Sequence, residues 1–579
     1  MASTCPPQII NTLRAKALKD KLTEIQRNLS RDNIILAIIL ILLTIGMSLF
    51  ILAPLFTMLL KSLQSNNGQF IGLSNFSDYF SSTAMWQSLR NTLFIGTIVT
   101  SLVSFLAFGF AYSLTRSCMP FKSIFNILGS VPILAPSLLP GISLIYLLGN
   151  QGIAKDILMG HSVYGPIGIT IGLTFWCFPH ALMIIKTSLR TSDARLYEAA
   201  QALNTSPIKT FFIVTLPGAK YGLISATIIV FTLVVCDFSV PKVIGGNYNI
   251  LATDIFKQVV GQQNFSMGAV TSVMLLIPAL FAFSADRWVQ KKQKGLFDSR
   301  SIAYIPQKNI FRDTCCFLFC SIISVAIITI IGMAIYGSLI TFWPWNLNIS
   351  LHNYNFNQFS ADGWQPYFNS LKLGFLVAII GTLTVFIGAY CIEKGRWLGP
   401  LRHLLQMLAI IPMAVPGMVL GLGYIFFFNT NYNPLSILYG TLTILVINTV
   451  THYYTVGHMT AITALKQLPA EIEAISASIN LPQYKTFFKV TLPVCSPAIL
   501  EIMVYLFINA MTTTSAVVFL YGTDTMPASV SVLNMDDAGQ TGPAAAMAVM
   551  ILLTAACVKV GHSGIGHLLE IYTQAWRRR

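Results

Sequence analysis

Long apolar runs separated by short charged connectors set the pattern of this chain. A hydrocarbon core of about 30 Å requires roughly 20 apolar residues in helix. Twelve runs meet or approach that length: residues 34–60, 91–115, 123–149, 163–185, 221–241 and 265–285, then 314–341, 373–392, 404–429, 434–462, 496–521 and 542–558. Only Asp237 and Glu501 are charged inside them. A bilayer offers the backbone no water, so segments this long must satisfy their own N–H and C=O groups as helices. Barrel strands would be shorter and alternating. The pattern predicts an all-α polytopic membrane protein with twelve transmembrane helices.

Charge sets the expected orientation, because Lys and Arg concentrate in cytoplasmic loops. Arg14, Lys16, Lys19, Lys21, Arg27 and Arg31 precede the first run. Counting spans from a cytoplasmic start places Arg116 and Lys122 on that side, then Arg287, Lys291, Lys292, Lys294, Arg300, Lys308 and Arg312. Lys394, Arg396, Arg402 and the terminal Arg577, Arg578 and Arg579 follow. Residues 342–368 and 522–541, on the opposite side, contain no Lys or Arg. Both termini are therefore expected in the cytoplasm. The first run far exceeds the roughly 7–15 apolar residues of a signal peptide and is expected to remain as an anchor.

Composition adds a class and removes others. The chain is 54% hydrophobic and 10% charged, against about 25% charged in soluble proteins. Its net charge of +15 is spread between apolar segments, so it reads as orientation charge and not as a nucleic-acid face. The ten cysteines contain no CxxC pair and imply no disulfide framework. Cys315, Cys316 and Cys320 read as small packing residues, not metal ligands.

One polar stretch is duplicated. Residues 187–217, TSLRTSDARLYEAAQALNTSPIKTFFIVTLP, return without a gap at 463–493 as TALKQLPAEIEAISASINLPQYKTFFKVTLP. Val131-Pro132, Pro136 and Gly141 in the third run likewise match Ile411-Pro412, Pro416 and Gly421 in the ninth. Each half thus reads as six spans, the two halves being parallel repeats about an axis along the membrane normal. The expected organisation is a cytoplasmic segment 1–33, a first half 34–286, a linker 287–312, a second half 313–562 and a basic tail 563–579.

Each copy falls between the fourth and fifth span of its half, on the expected cytoplasmic face. Residues 193–203 are good helix formers, and Asn204 suits the left-handed conformation that ends a helix. Ser206-Pro207 reads as the cap and first position of a second short helix, with Leu216-Pro217 and Leu492-Pro493 marking re-entry into the membrane. A compact helix–turn–helix on the cytoplasmic surface results, with Phe211, Phe212, Phe487 and Phe488 as apolar anchors.

The stretch resembles the EAA loop of the inner-membrane permease subunits of binding-protein-dependent ABC transporters: E-A-A, three residues, Gly, nine residues, I-x-L-P. Glu198-Ala199-Ala200, Leu216 and Pro217 match it, while Asn204 replaces the glycine and Val214 the isoleucine. In the second copy Ala474-Ile475-Ser476 fills the E-A-A positions, Asn480 the glycine's, and Glu473 stands one residue before the usual glutamate. The resemblance implies a fused double permease in a bacterial inner membrane. Its two loops would dock as coupling helices onto two copies of a separate ATPase, and a periplasmic binding protein would deliver the solute. It implies no catalytic residue, no metal and no cofactor on this chain. The absence of a G-x-x-x-x-G-K-[ST] loop agrees, and the glycines of 561–566 read as a tail turn.

Fused permeases of this kind resemble the ferric iron, thiamine and 2-aminoethylphosphonate uptake group. Residues 236–246, 251–255, 261–264 and 531–539 look most like the phosphonate branch, so 2-aminoethylphosphonate is the expected solute, with ferric iron or thiamine as alternatives. An ion-coupled secondary transporter is the alternative of another class; it would need buried ionisable groups, for which only Asp237 and Glu501 stand. Pro132, Pro136, Pro140, Pro412 and Pro416 interrupt helices at matching positions, a sequence pointer to the translocation path. Asp237 could face a cation or pair with Lys242, and Lys242 could meet a phosphonate oxygen or snorkel to the surface. Asp536 and Asp537 could meet ferric ion or, as exposed mouth carboxylates, contact the docked partner. Glu501 has Ser225 in its place in the first half. His180, His452 and His458 show no ligand spacing and read as packed within the bundle.

Overall fold

A computed structural model describes residues 31–191, 193–294, 304–395, 398–430, 433–479 and 481–573. The basic residues before Arg31, and Gly295, Arg300, Arg396, Asn480 and Arg577–Arg579, lie outside the described residues, as do the side chains of Glu473 and Ala474. The first half comprises α1 (Asn33–Ser62), α2 (Thr83–Arg116), α3 (Lys122–Leu134), α4 (Leu138–Leu148) and α5 (Pro166–Arg190). It continues through α6 (Ala194–Ala202), α7 (Pro207–Cys236), α8 (Ser239–Ile244), α9 (Leu251–Phe256) and α10 (Phe265–Lys294). The second half comprises α11 (Ile310–Leu339), α12 (Gln365–Lys394), α13 (Gly399–Ala414), α14 (Gly417–Phe428) and α15 (Leu442–Lys466). It ends with α16 (Ala470–Ser478), α17 (Gln483–Val494), α18 (Ser496–Thr512), α19 (Ala528–Asp537) and α20 (Thr541–Thr573).

Among the described residues eight helices are long and apolar enough to cross a membrane, and eleven spans result if each bent pair counts as one. The bent pairs are α3 with α4 (105°), α13 with α14 (114°) and α17 with α18 (72°). The first two bends have one cause. Proline excludes the preceding residue from helical backbone, and Ala135 before Pro136 and Val415 before Pro416 are both extended (ψ 138° and 117°). At the third, Pro497 has no N–H to give the Pro493 carbonyl, which the Ser496 hydroxyl takes instead (2.8 Å).

The remaining long helix, α15, spans 25 residues. It carries Asn448, Thr449, Thr451, Thr455 and His458, all buried. Its ends, Leu442 and Lys466, lie 276 residues beyond those of α5, Pro166 and Arg190.

The tenth run, the fifth run and the glycine tail turn need correction. The tenth run starts late, because Pro434–Leu438 forms a separate 3₁₀ turn before α15. The fifth run is two helices: α7 begins at Pro207, and Asp237 caps its C-terminus before α8. Gly561, Gly564 and Gly566 lie inside α20 and not in a tail turn; each costs only about 1 kcal/mol in a helix, less than unpaired backbone in an apolar setting.

The halves interlock. Helices α2, α5 and α7 pack on one another, as α12, α15 and α18 do. The first helix of each half reaches across to the other: α1 packs on α13 and α14 as well as on α10, and α11 on α4 as well as on α20. Small residues permit the approach. A Cβ on Gly423 would stand 2.8 Å from the Pro54 carbonyl oxygen, and one on Gly337 would stand 2.6 Å from the Tyr146 ring. Phe50 stacks on Phe428 (6.2 Å), and Phe317 meets Phe125 edge-on (5.7 Å).

Candidate functional site

The duplicated stretch folds from its caps. Asp193 accepts the Arg195 N–H (3.1 Å) at the start of α6, and Asn204 ends it in left-handed backbone (φ 51°). The Ser206 hydroxyl then accepts the Lys209 N–H (3.3 Å), and Pro207 opens α7. A separate second short helix is not formed. Pro207–Thr210 continues through a π turn at Phe211–Thr215 directly into the membrane helix, which keeps the backbone bonded as the chain leaves water. The π turn recurs at Phe487–Thr491.

The phenylalanine pairs divide their work. Phe211 packs edge-on against Phe108 (5.9 Å) and Tyr112 (5.8 Å) of α2. Phe487 meets Tyr390 edge-on (4.8 Å) and Phe386 at a tilt (6.1 Å), both on α12. Phe212 and Phe488 stay exposed. The receiving rings went unnoticed in the sequence, although an F-x-x-A-Y pattern at 108–112 and 386–390 repeats there. Glu198, Ala199 and Pro217 are exposed, Leu216 is half-buried and Ala200 is buried. Leu196, Leu203 and Ile208 add exposed apolar surface to the first copy, as Ile475, Ile479, Leu481 and Tyr484 do to the second, where Leu492 is exposed and Pro493 half-buried.

A cavity of 780 Å³ adjoins the second loop at Pro469 and Ile472. Its wall takes Arg287 and Gln290 from α10, Met413 from the bend of α13, Thr455 and Thr463 from α15, Glu501 from α18 and His562 from α20. Pro132, Pro136, Pro412 and Pro416 are buried, so they shape the bends without lining this space.

Glu501 has a first-half equivalent after all, one helix away. Ser225 Oγ donates to Asp286 Oδ1 (2.5 Å), and Gln290 Nε2 donates to Oδ2 (2.6 Å). The residues 276 beyond Ser225 and Asp286 are Glu501 and His562. The acid has changed helices between the halves. Asp286, buried in α10, was missed because the sixth run ends at Ala285.

At the other end of the bundle Lys242 pairs with Asp537, Nζ to Oδ1 2.9 Å, and not with Asp237. Its ammonium also lies 5.3 Å from the Phe256 ring centre. Asp237 is buried where α7 ends, with Oδ1 accepting the Ser239 N–H (3.2 Å). Thr513, its counterpart at the end of α18, is buried as well. Burial, and then the neighbouring Asp537, push the Asp536 carboxyl up to about 6. His180 Nδ1 donates to the Trp176 carbonyl (3.3 Å), and His458 stacks on Tyr454 (5.5 Å). Among the described residues no three His, Cys, Asp or Glu side chains gather as metal ligands.

Two homologous, interlocked helical halves with a repeated polar loop define a duplicated membrane transport subunit. The chain belongs to the family of binding-protein-dependent transport system inner membrane components, whose domain it carries twice, over residues 117–295 and 385–564. It is 28% identical over 481 residues to the ferric transport system permease protein FbpB of Actinobacillus pleuropneumoniae, covering 80% of this chain and 69% of that one. To the Fe(3+)-transport system permease protein FbpB 2 of Haemophilus influenzae it is 22% identical, covering 83% and 90%. The spermidine/putrescine transport system permease protein PotB of Salmonella typhimurium is 25% identical over 37% of this chain and 79% of its own length.

Proposed function

We propose that this chain is the double permease of an importer that moves ferric iron from a periplasmic binding protein into the cytoplasm, driven by two copies of a separate ATPase. Relatives named for ferric transport align with four-fifths of the chain or more, and this observation favours iron over the phosphonate reading. Eight apolar helices, three bent pairs and α15, the positional twin of α5, make twelve spans with both termini inside a bacterial inner membrane. The halves are 34–286 and 313–562, joined by the linker 287–312.

In this reading the exposed faces of α6 and α16, with Glu198, Ala199, Phe212 and Phe488, dock on the ATPase. Ala200, Asn204, Phe211, Phe487, Leu216, Pro217, Leu492 and Pro493 shape and anchor the two loops. The cavity beneath the bends belongs to an inward-open pathway, and Lys242 with Asp537 closes its outer mouth. Asp237 lies on the route between them. No cofactor is assigned to the chain itself.

The test is uptake by the complex reconstituted with its ATPase and binding protein. Radiolabelled ferric ion and 2-aminoethylphosphonate are offered in parallel, with and without ATP. ATP-dependent iron accumulation is expected. Accumulation of the phosphonate alone would sink the iron assignment.

A further inference from the structure

We infer that Arg116, Tyr197 and Tyr304 form the joint through which the first coupling segment moves the membrane helices. The inference rests on the proposed ATPase partnership and adds positioning residues to it. Arg116 ends α2 and is only 4% exposed. Its Nη2 donates to the Leu189 carbonyl (2.6 Å) near the end of α5, and its Nε donates to Tyr197 Oη (3.2 Å) on α6. Tyr197 Oη in turn donates to Thr215 Oγ1 (3.0 Å) in the π turn of α7. One guanidinium and one phenol therefore tie α6 to all three spans of its bundle.

Helix α6 is two-faced. Glu198, Leu196 and Leu203 point outward, while Ala194, Tyr197 and Ala200 are buried. A partner pressing on the outer face loads the inner one, and Tyr197 is where that face is bonded.

The chain that joins the two halves closes the joint. The Tyr304 ring lies 4.2 Å from the Tyr197 ring, with Arg116 Cζ 4.9 Å from its centre. Gln307 Nε2 reaches Gln201 Oε1 of α6 (3.4 Å). Asp313 then accepts the Cys118 N–H (3.0 Å) just beyond α2, in the first turn of α11. Since α11 packs on the first half, movement of α6 reaches the second half through the linker. In the second copy Lys394 ends α12, Glu473 stands 276 residues beyond Tyr197, and Thr491 stands 276 beyond Thr215. The sequence of the second copy therefore repeats neither the planar, five-donor guanidinium nor the phenol at these positions. The Arg116–Tyr197 pair belongs to the first half alone in the sequence.

The test uses the full chain in complex with its ATPase, carrying Lys242→Cys and Asp537→Cys. Disulfide yield across the outer mouth then reports the state of the pathway, identified by its need for both introduced cysteines. In the parent, a non-hydrolysable ATP analogue should lower that yield. Arg116→Ala and Tyr304→Ala should weaken the response by roughly three- to thirtyfold, at parental levels of inserted protein. Tyr304→Phe, which keeps the stacked ring, should retain it. A full response in Arg116→Ala and Tyr304→Ala overturns the joint, as does a loss that merely tracks the amount of folded protein. A parental disulfide that ignores nucleotide refutes the ATPase reading itself and takes the joint with it.

Discussion

Lys242 on α8 and Asp537 on α19 form an ion pair across the two halves, Nζ to Oδ1 2.9 Å. The side chains are 23% and 46% exposed, so the pair should contribute under about 1 kcal/mol to stability. Its expected effect is on the mouth between the halves. Lys242→Ala or Asp537→Ala should leave thermal unfolding nearly unchanged yet alter the rate of ATP-dependent uptake. The exchanged pair, Lys242→Asp with Asp537→Lys, should recover the parental rate. Unchanged uptake in both single variants would remove the pair from the gate.

The neighbouring Asp536 gives that mouth a pH dependence. Burial and then Asp537 raise its carboxyl to about 6, with Lys242 opposing. A raised acid favours the protonated folded state, so its contribution to stability is full below the ordinary carboxylate range and is lost as pH rises through about 6. Asp536→Asn should therefore match the parent near pH 4 and be the more stable protein near pH 8. Unfolding midpoints at the two pH values check this; a variant less stable at pH 8 contradicts it.

Ser225 and Gln290 both donate to Asp286. Asp286→Ala leaves buried Ser225 and half-buried Gln290 without their acceptor and should cost about 1–3 kcal/mol. Converting the first half to the residues of the second, Ser225→Glu with Asp286→His, should be milder than either single change. Denaturant unfolding in detergent reads both outcomes, and additive costs would separate the two positions.

The coupling loops should be unequal. Glu198 is exposed beside apolar Leu196 and Leu203, and its positional counterpart is Ala474. Glu198→Ala should reduce transport per ATP hydrolysed more than Glu473→Ala; equal losses would make the loops equivalent. Within the first loop, Phe211→Ala removes a ring held between Phe108 and Tyr112 and should destabilise by about 1–3 kcal/mol. Phe212→Ala should stay within about 0.5 kcal/mol while weakening capture of the ATPase in a pull-down.

The helices, their repeat and the two proline bends were legible in the sequence, because each follows from local rules. Backbone must bond to itself in an apolar layer, and the residue before proline cannot stay helical. Asn204 taking left-handed backbone and Ser206 capping α7 are decisions of the same range. Three-dimensional packing decided the rest. Nothing local pairs Lys242 with Asp537, sets Asp286 against Ser225, or bridges the two halves with α1 and α11. Arg116 illustrates the divide: a sequence pattern sees one more basic residue at a membrane boundary. Only the convergence of α2, α5, α6 and α7 makes it a buried hub, since hydrogen-bond partners distant in the chain meet through helix packing and not through spacing.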